Sequence, residues 1–198
     1  LVTIKNSWAW HNGYVYGTST AAGDGVGFKL GSNFLQGTTL QNTVVRIVQN
    51  TISADNKNSG YHINEGDHRT VLYNNVSYAN GVMGLNFHWD NLVHTFKNNV
   101  SFGNGTTQVE ISSNSISSNN SYGIGGYSDG GAGWAATASV ADFVSTDIAQ
   151  LARARNADGS LPTITAFTLA SNSDLINAGT NVGLPYNGSA PDIGAFEY

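Results

Sequence analysis

The phrases "NTISADN" (50–56), "NNVSYAN" (74–80) and "NNVSFGN" (98–104) stand 24 residues apart, and each opens and closes on asparagine. An earlier copy, "NSWAWHN", runs from Asn6 to Asn12. The register continues past the phrases: Tyr61, Leu85 and Val109 form one apolar column and Ile63, Phe87 and Ile111 another, with His62, Asn86 and Glu110 between them. Alternation of period two inside a repeat of 24 predicts short strands that turn into one another and stack, coil upon coil. The fold expected is all-β, a parallel β-helix in which residues one repeat apart become lateral neighbours at about 4.8 Å. Apolar columns are expected inside and the polar ones in water. A leucine-rich repeat is excluded, because neither a leucine consensus nor a helical segment recurs with the period.

The recurring asparagines at 50, 74 and 98 and at 56, 80 and 104 are read as turn residues whose side chains pass hydrogen bonds from coil to coil. Matches to a glycosylation sequon at Asn75, Asn99 and Asn104 are a by-product of the repeat.

The repeat bounds one unit. Residues 1–122 are expected to form the coils, with insertions at 14–26 and 33–42. Residues 123–198 are expected to form a C-terminal cap packed on the same domain, since the open end of a solenoid exposes apolar interior and unpaired strand edges. Within that cap, "STDIAQLARAR" (145–155) reads as one short amphipathic helix with Ser145 or Thr146 as N-cap and Asp147 in the first turn. The N-terminus starts in mid-repeat with Val2 and Ile4 at interior positions, so a further segment ahead of Leu1, or a partner, is expected to cover the first coil. Only 11% of the 198 residues are charged and none is cysteine, which removes disulfides and thiolate metal sites. A net charge of −5 argues against a nucleic-acid partner. No apolar run approaches the roughly 20 residues of a membrane span, and "LVTIKNSWAW" lacks the zones of a signal peptide.

One lysine stands apart. In "GDGVGFKLG" (23–31), Lys29 is flanked by Phe28 and Leu30 as in a strand. Aligning "GFKL" with "GYHI" (60–63) and "GLNF" (84–87) puts Lys29 at the head of the outward column His62, Asn86, Glu110. The next outward column is Gly31, Asn64, His88, Ser112. Asn6 and Asn50 are 44 residues apart, 20 more than one coil; eleven of these fall between Asn12 and Gly27 and nine between Leu30 and Asn50. Insertions in an economical repeat are often functional, and these two are expected to wall a groove around Lys29. An exposed solubilising lysine is the plainer alternative. His62, Asn64, Asn86 and His88 are candidate ligand contacts on the same face. No spacing amounts to a metal motif: Glu65, Asp67 and Asp90 could hold calcium weakly, but as solvated turn carboxylates they need no ion.

"GDGVGFKLG", the coils "NNVSYANG" and "FKNNVSFGNG", and the tail "DFVSTD…RNADGSLP…SDLINAG…GLPYNGSAPDIGAFEY" together resemble the family 9 pectate lyases over nearly the whole chain. The resemblance implies a right-handed parallel β-helix and cleavage of polygalacturonate, an acidic polysaccharide, by β-elimination. It makes Lys29 the Brønsted base that removes the C5 proton of a galacturonate; His62, Asn64, Asn86 and His88, placed beside it by the repeat alignment, are the expected substrate contacts, although a water-facing position explains the two histidines equally well. It also implies calcium on the uronate, bound by aspartates upstream of the lysine; here Asp24 is the only carboxylate before Lys29, so the metal ligands stay unassigned. A base must be neutral, so the lysine pKa would have to fall from about 10.4 toward the working pH. A secreted or periplasmic setting follows from the same resemblance. The rival reading is a non-catalytic carbohydrate-binding or adhesive β-helix, whereas a hydrolase would need paired carboxylates that this face does not offer.

Overall fold

The computed structural model describes residues 1–31, 45–64, 68–88, 92–124 and 132–198. Two parallel sheets face one another. One follows the order β1 (Val2–Trp10), β3 (Val45–Ala54), β5 (Arg69–Tyr78), β8 (Val100–Phe102), β11 (Asn120–Tyr122), β12 (Trp134–Ala135), with β7 (Thr95–Lys97) and β10 (Ile116–Ser118) continuing it. The other is β2 (Phe28–Lys29), β4 (Tyr61–His62), β6 (Met83–Phe87), β9 (Thr107–Ile111). The pairing Val48↔Leu72 and Val76↔Val100 is the 24-residue register, and Trp8↔Ile52 carries it across the longer interval of 44. This is the all-β parallel β-helix that the repeat predicts.

Left-handed asparagines bend the long strands. Asn6, Asn50, Asn74, Asn98 and Asn119 have φ of 49, 52, 54, 58 and 52°, a region that asparagine enters more readily than most side chains. Each bend also reverses the inside–outside alternation. Before it, Val48, Leu72 and Phe96 point inward and pack with Tyr61, Ile63, Leu85, Phe87, Val109 and Ile111 in a fully buried core. After it, the inward positions are Thr51, Asn75 and Asn99 and then Ser53, Ser77 and Ser101, all buried. Here the interior is polar and the apolar column Ile52, Val76, Val100 faces outward, against the expectation that apolar columns are internal.

The polar groups of these columns can sit inside because they are hydrogen-bonded to one another and to backbone carbonyls. Asn12 Nδ2 donates to Asn56 Oδ1 at 2.8 Å, Asn56 to Asn80 at 2.8 Å and Asn80 to Asn104 at 2.9 Å. A second ladder runs from Asn75 to Asn99 to Asn120, both steps at 2.9 Å. Asn75 and Asn99, which match sequons, are 1% exposed and committed to this ladder. The serines bring the two sheets close: Ser53 and Ser101 hydroxyls donate to the carbonyls of Gly60 and Gln108. A Cβ on Gly27, Gly60 or Gly84 would come within 2.1, 2.4 and 1.9 Å of the hydroxyls of Ser53, Ser77 and Ser101, so only glycine fits that column.

The outward apolar column is covered by the C-terminal segment. Phe143, Phe167, Leu175, Ile193 and Ala195 form a second core with Ile52, Val76, Val100 and Phe102; the Phe102 and Phe143 rings stack at 5.0 Å. Backbone contacts fasten it: Asn98 Nδ2 donates to Thr180 O while Thr180 N–H donates to Asn98 Oδ1, both at 2.8 Å. Asp192 explains part of "PDIGAFEY", since its carboxylate accepts from the N–H groups of Asn177 and Tyr198, each at 2.6 Å. These contacts lie along the flank of several coils. The helix expected over 145–155 is corrected: it is a 3₁₀ helix, Ile148–Ala152, capped by Asp147 rather than Ser145 or Thr146. Five residues are too few to nucleate an α-helix, and Gln150 Oε1 is held by the N–H groups of Thr165 and Ala166. A second 3₁₀ turn, Val140–Asp142, precedes it.

Candidate active site

The second sheet assembles the polar face. Lys29 pairs with His62, His62 with Asn86 and Asn86 with Glu110 on four adjacent strands. Tyr61 and Phe28 support Lys29 from beneath, their rings stacked at 5.2 Å and 8°. Burial pushes the Tyr61 hydroxyl pKa well up, and that hydroxyl lies 2.9 Å from Thr51 Oγ1. The strand end after Lys29 is held at the Leu30 carbonyl, which accepts from His68 Nε2 at 2.7 Å and from Arg46.

Lys29 is half-exposed and Nζ donates to Asp24 Oδ2 at 2.9 Å. The other Asp24 oxygen accepts from Asn58 Nδ2 at 3.2 Å. Asp24 sits between Gly23 (φ 67°) and Gly25 (φ 78°), a path that lets the 14–26 insertion turn its carboxylate back over the strand. The hydrogen bond from Lys29 holds the Asp24 carboxyl below the usual carboxylate range, with burial opposing and Asn58 and His62 assisting. On the neighbouring coils His88 Nδ1 lies 3.3 Å from Glu110 Oε1. Asn86 is 7% exposed. Asn64 follows β4 in a left-handed conformation, φ 47°.

The face therefore brings Lys29, His62 and Asn86 into one row, with His88 joined to it through Glu110. The sequence singles out Asp24 as the only carboxylate before Lys29 but gives no sign that it pairs with that lysine, nor that Asn58 joins it. The wall expected from 33–42 lies outside the described residues, as do Glu65, Asp67 and Asp90. Among the described residues no three His, Cys, Asp or Glu side chains come together to hold a metal, and Asp24 is committed to Lys29 and Asn58. The described residues thus do not make a calcium cage. No helix among them is long and apolar enough to cross a membrane.

A family profile described as "Pel9A-like, right handed beta helix region" matches residues 1–99. Pectate lyase L of Dickeya dadantii (strain 3937) is 37% identical over 201 residues, covering 99% of this chain and 42% of the relative. Pectate lyase L of Paenibacillus polymyxa (strain SC2) is 39% identical over 183 residues, covering 92% and 37%. The crystal structure of pectate lyase Pel9A superposes with a TM-score of 0.72 at 35% identity, over 99% of this chain and 45% of that one. The chain thus spans about two fifths of the length of these relatives. With half of its residues matching the profile and its two-sheet solenoid superposing on Pel9A, the chain belongs to the Pel9A-like right-handed β-helix family.

Proposed function

We propose that this chain carries the lysine-bearing face of a pectate-lyase-type site that cleaves 4-linked galacturonate polymers by β-elimination. The observation behind the reading is the register: Lys29 stands outward at the head of the row His62, Asn86, Glu110, beneath the 14–26 insertion. In the proposed step Lys29 Nζ takes the C5 proton, the released electron pair forms the C4=C5 double bond, and the C4–O bond breaks. The departing oxygen takes up a proton, leaving a 4,5-unsaturated end. His62, Asn64, Asn86 and His88 would contact the sugars. An ammonium that donates to Asp24 has no lone pair to offer, so the Lys29–Asp24 contact must open and the proton be shed before the step. Calcium, which the resemblance implies on the uronate, is not held by the described residues, and the step given is that of this chain's own side chains. A secreted or periplasmic setting suits an enzyme whose substrate is a polymer.

The rival reading, a carbohydrate-binding module, draws on one observation: Lys29 is engaged by Asp24. Ultraviolet absorbance of the unsaturated product separates the two. In a form of family length given polygalacturonate and calcium, Lys29→Ala is expected to lower turnover by about 10² to 10⁴ with the fold intact. Parental turnover by that variant overturns the assignment, and binding of polygalacturonate with no unsaturated product from either form supports the module. For the 198-residue chain alone, weak or no turnover is expected.

A further inference from the structure

The column of left-handed asparagines on the opposite side of the solenoid opens onto a cavity; among the described residues only its Asn98–Asn74 step is hydrogen-bonded, against the expectation that Asn50 also passes a bond from coil to coil. At its lower rungs the C-terminal segment occupies it. Asn98 exchanges two hydrogen bonds with the Thr180 backbone, and Asn119 Nδ2 donates to Ala178 O at 2.9 Å. At the upper rungs the segment faces the asparagines across a cavity that Pro162, Ile164 and Pro185 line on its side. Asn6 and Asn50 side chains make no hydrogen bond to a described residue, and Asn74, 5% exposed, accepts from Asn98 while its Nδ2 donates to none. These three amides line a cavity of about 510 Å³ together with Trp8, Phe196 and Glu197.

The chemistry of the lining narrows the ligand. Primary amides both donate and accept, so a stack of them at strand spacing, roughly 4.8 Å, matches a ligand carrying hydroxyls along its length. Trp8 and Phe196 supply apolar rings for the ligand's carbon face, in the usual mixture of apolar lining with a few convergent polar groups. Glu197 accepts only long bonds, 3.3 Å from Asn187 N–H and 3.3 and 3.4 Å from Asp192 N–H, and so retains capacity for a hydroxyl donor. Among the described residues no Lys, Arg or His lines the cavity, and a carboxylate there would face Glu197 unpaired. The geometry points to a second saccharide site, remote from Lys29 and selective for an uncharged oligosaccharide rather than for galacturonate. It stands whether or not the Lys29 face is catalytic.

The test is a titration of the 198-residue chain with β-1,4-galactotriose, followed by the side-chain NH₂ signals of Asn50 and Asn74 and the indole N–H of Trp8 in ¹H–¹⁵N spectra. The expected result is saturable shifts of all three, with trigalacturonate producing none of them. Asn50→Gly keeps the left-handed backbone and removes one amide, and Trp8→Leu removes the ring. Each is expected to weaken binding at least about tenfold, with unperturbed spectra elsewhere showing that the fold is retained. No shifts at millimolar trisaccharide, equal or tighter binding of trigalacturonate, or affinity unchanged in both variants overturns the site. A peptide copying residues 176–182 that shifts these signals when the trisaccharide does not would overturn it too, identifying the ladder as a receptor for extended backbone.

Discussion

Lys29 Nζ meets Asp24 Oδ2 at 2.9 Å across the glycine-rich turn that joins the 14–26 insertion to β2. The contact depresses the Asp24 carboxyl. A depressed acid stabilises the fold above its unfolded value, near 3.9, and that contribution is lost as pH falls through the folded value. In Lys29→Met the Asp24 carboxyl is expected to titrate higher than in the parent, by carboxyl-carbon NMR. An unmoved titration would show that the pair does not persist in solution. Stability at neutral pH should change little, since both groups are half-exposed and such pairs contribute about 1 kcal/mol or less.

Asn80 is the middle rung of the longer ladder. Its Oδ1 accepts from Asn56 N–H and Nδ2, and its Nδ2 donates to Ser53 O, Ser77 Oγ and Asn104 Oδ1. Asn80→Ala strands several buried groups at once, each costing about 1–3 kcal/mol. A loss of at least about 3 kcal/mol is expected in urea unfolding. Asn12→Ala, at the part-buried head of the ladder, should cost about 1 kcal/mol. Equal losses would contradict the ladder's inward placement.

His11 gives the first coil a pH dependence of the opposite sign. Its Nδ1 lies 2.8 Å from Asp55 Oδ2, and that hydrogen bond raises the imidazole pKa, with the Thr18 carbonyl assisting. A raised base stabilises the fold fully below its unfolded value, near 6.5, and the contribution disappears as pH rises through the folded value. Asp55 has φ 53°, which asparagine tolerates. The Asp55→Asn variant should therefore fold, with a melting temperature that falls less than the parent's between pH 5.5 and 8.5, roughly the range over which histidine titrates. A parental slope in the variant removes this pair as its source.

Phe167 fastens the C-terminal segment to the outward column. It is 1% exposed and packs edge-on to Tyr78 at 5.3 Å and to Phe143 at 6.0 Å. Phe167→Ala is expected to cost about 3–5 kcal/mol and to open the segment to limited proteolysis while the core around Phe87 stays protected. Simultaneous cleavage throughout the chain would mean that segment and coils unfold as one unit.

The 24-residue repeat made the coils and the Lys29 row legible, because lateral neighbours in a parallel stack are set by spacing alone. The inside and outside of β3, β5 and β8 were not. Alternation read through Asn50 without a break assigns the wrong parity to Ile52 and Thr51, and a left-handed asparagine cannot be told from any other turn asparagine by its letter. The second ladder was hidden likewise: Asn75 and Asn99 look like sequons, and their successor Asn120 comes after 21 residues, not 24. The glycines of "GFKL", "GYHI" and "GLNF" served to align the coils, yet their contacts with Ser53, Ser77 and Ser101 give them a packing reason repeated in coils that carry no lysine. Asp24 and Asn58 belong to an insertion and to a turn, so no periodicity could bring them to Lys29.

The asparagine ladders have a direction. In the longer one the amide of each coil donates to the next, and the row stops where Asn104 turns to Gln108 of its own coil. In the other, Thr51 stands at the head in place of an asparagine and donates to Asn75 Oδ1 at 2.7 Å. Aligned amides polarise one another, so each rung strengthens the acceptor offered to its neighbour. A coil laid down in the wrong register would meet both rows out of step and lose two buried hydrogen-bond chains together. Assembly of this solenoid is therefore templated like the growth of a polar filament, with an acceptor-bearing face that admits the preceding coil in a single alignment.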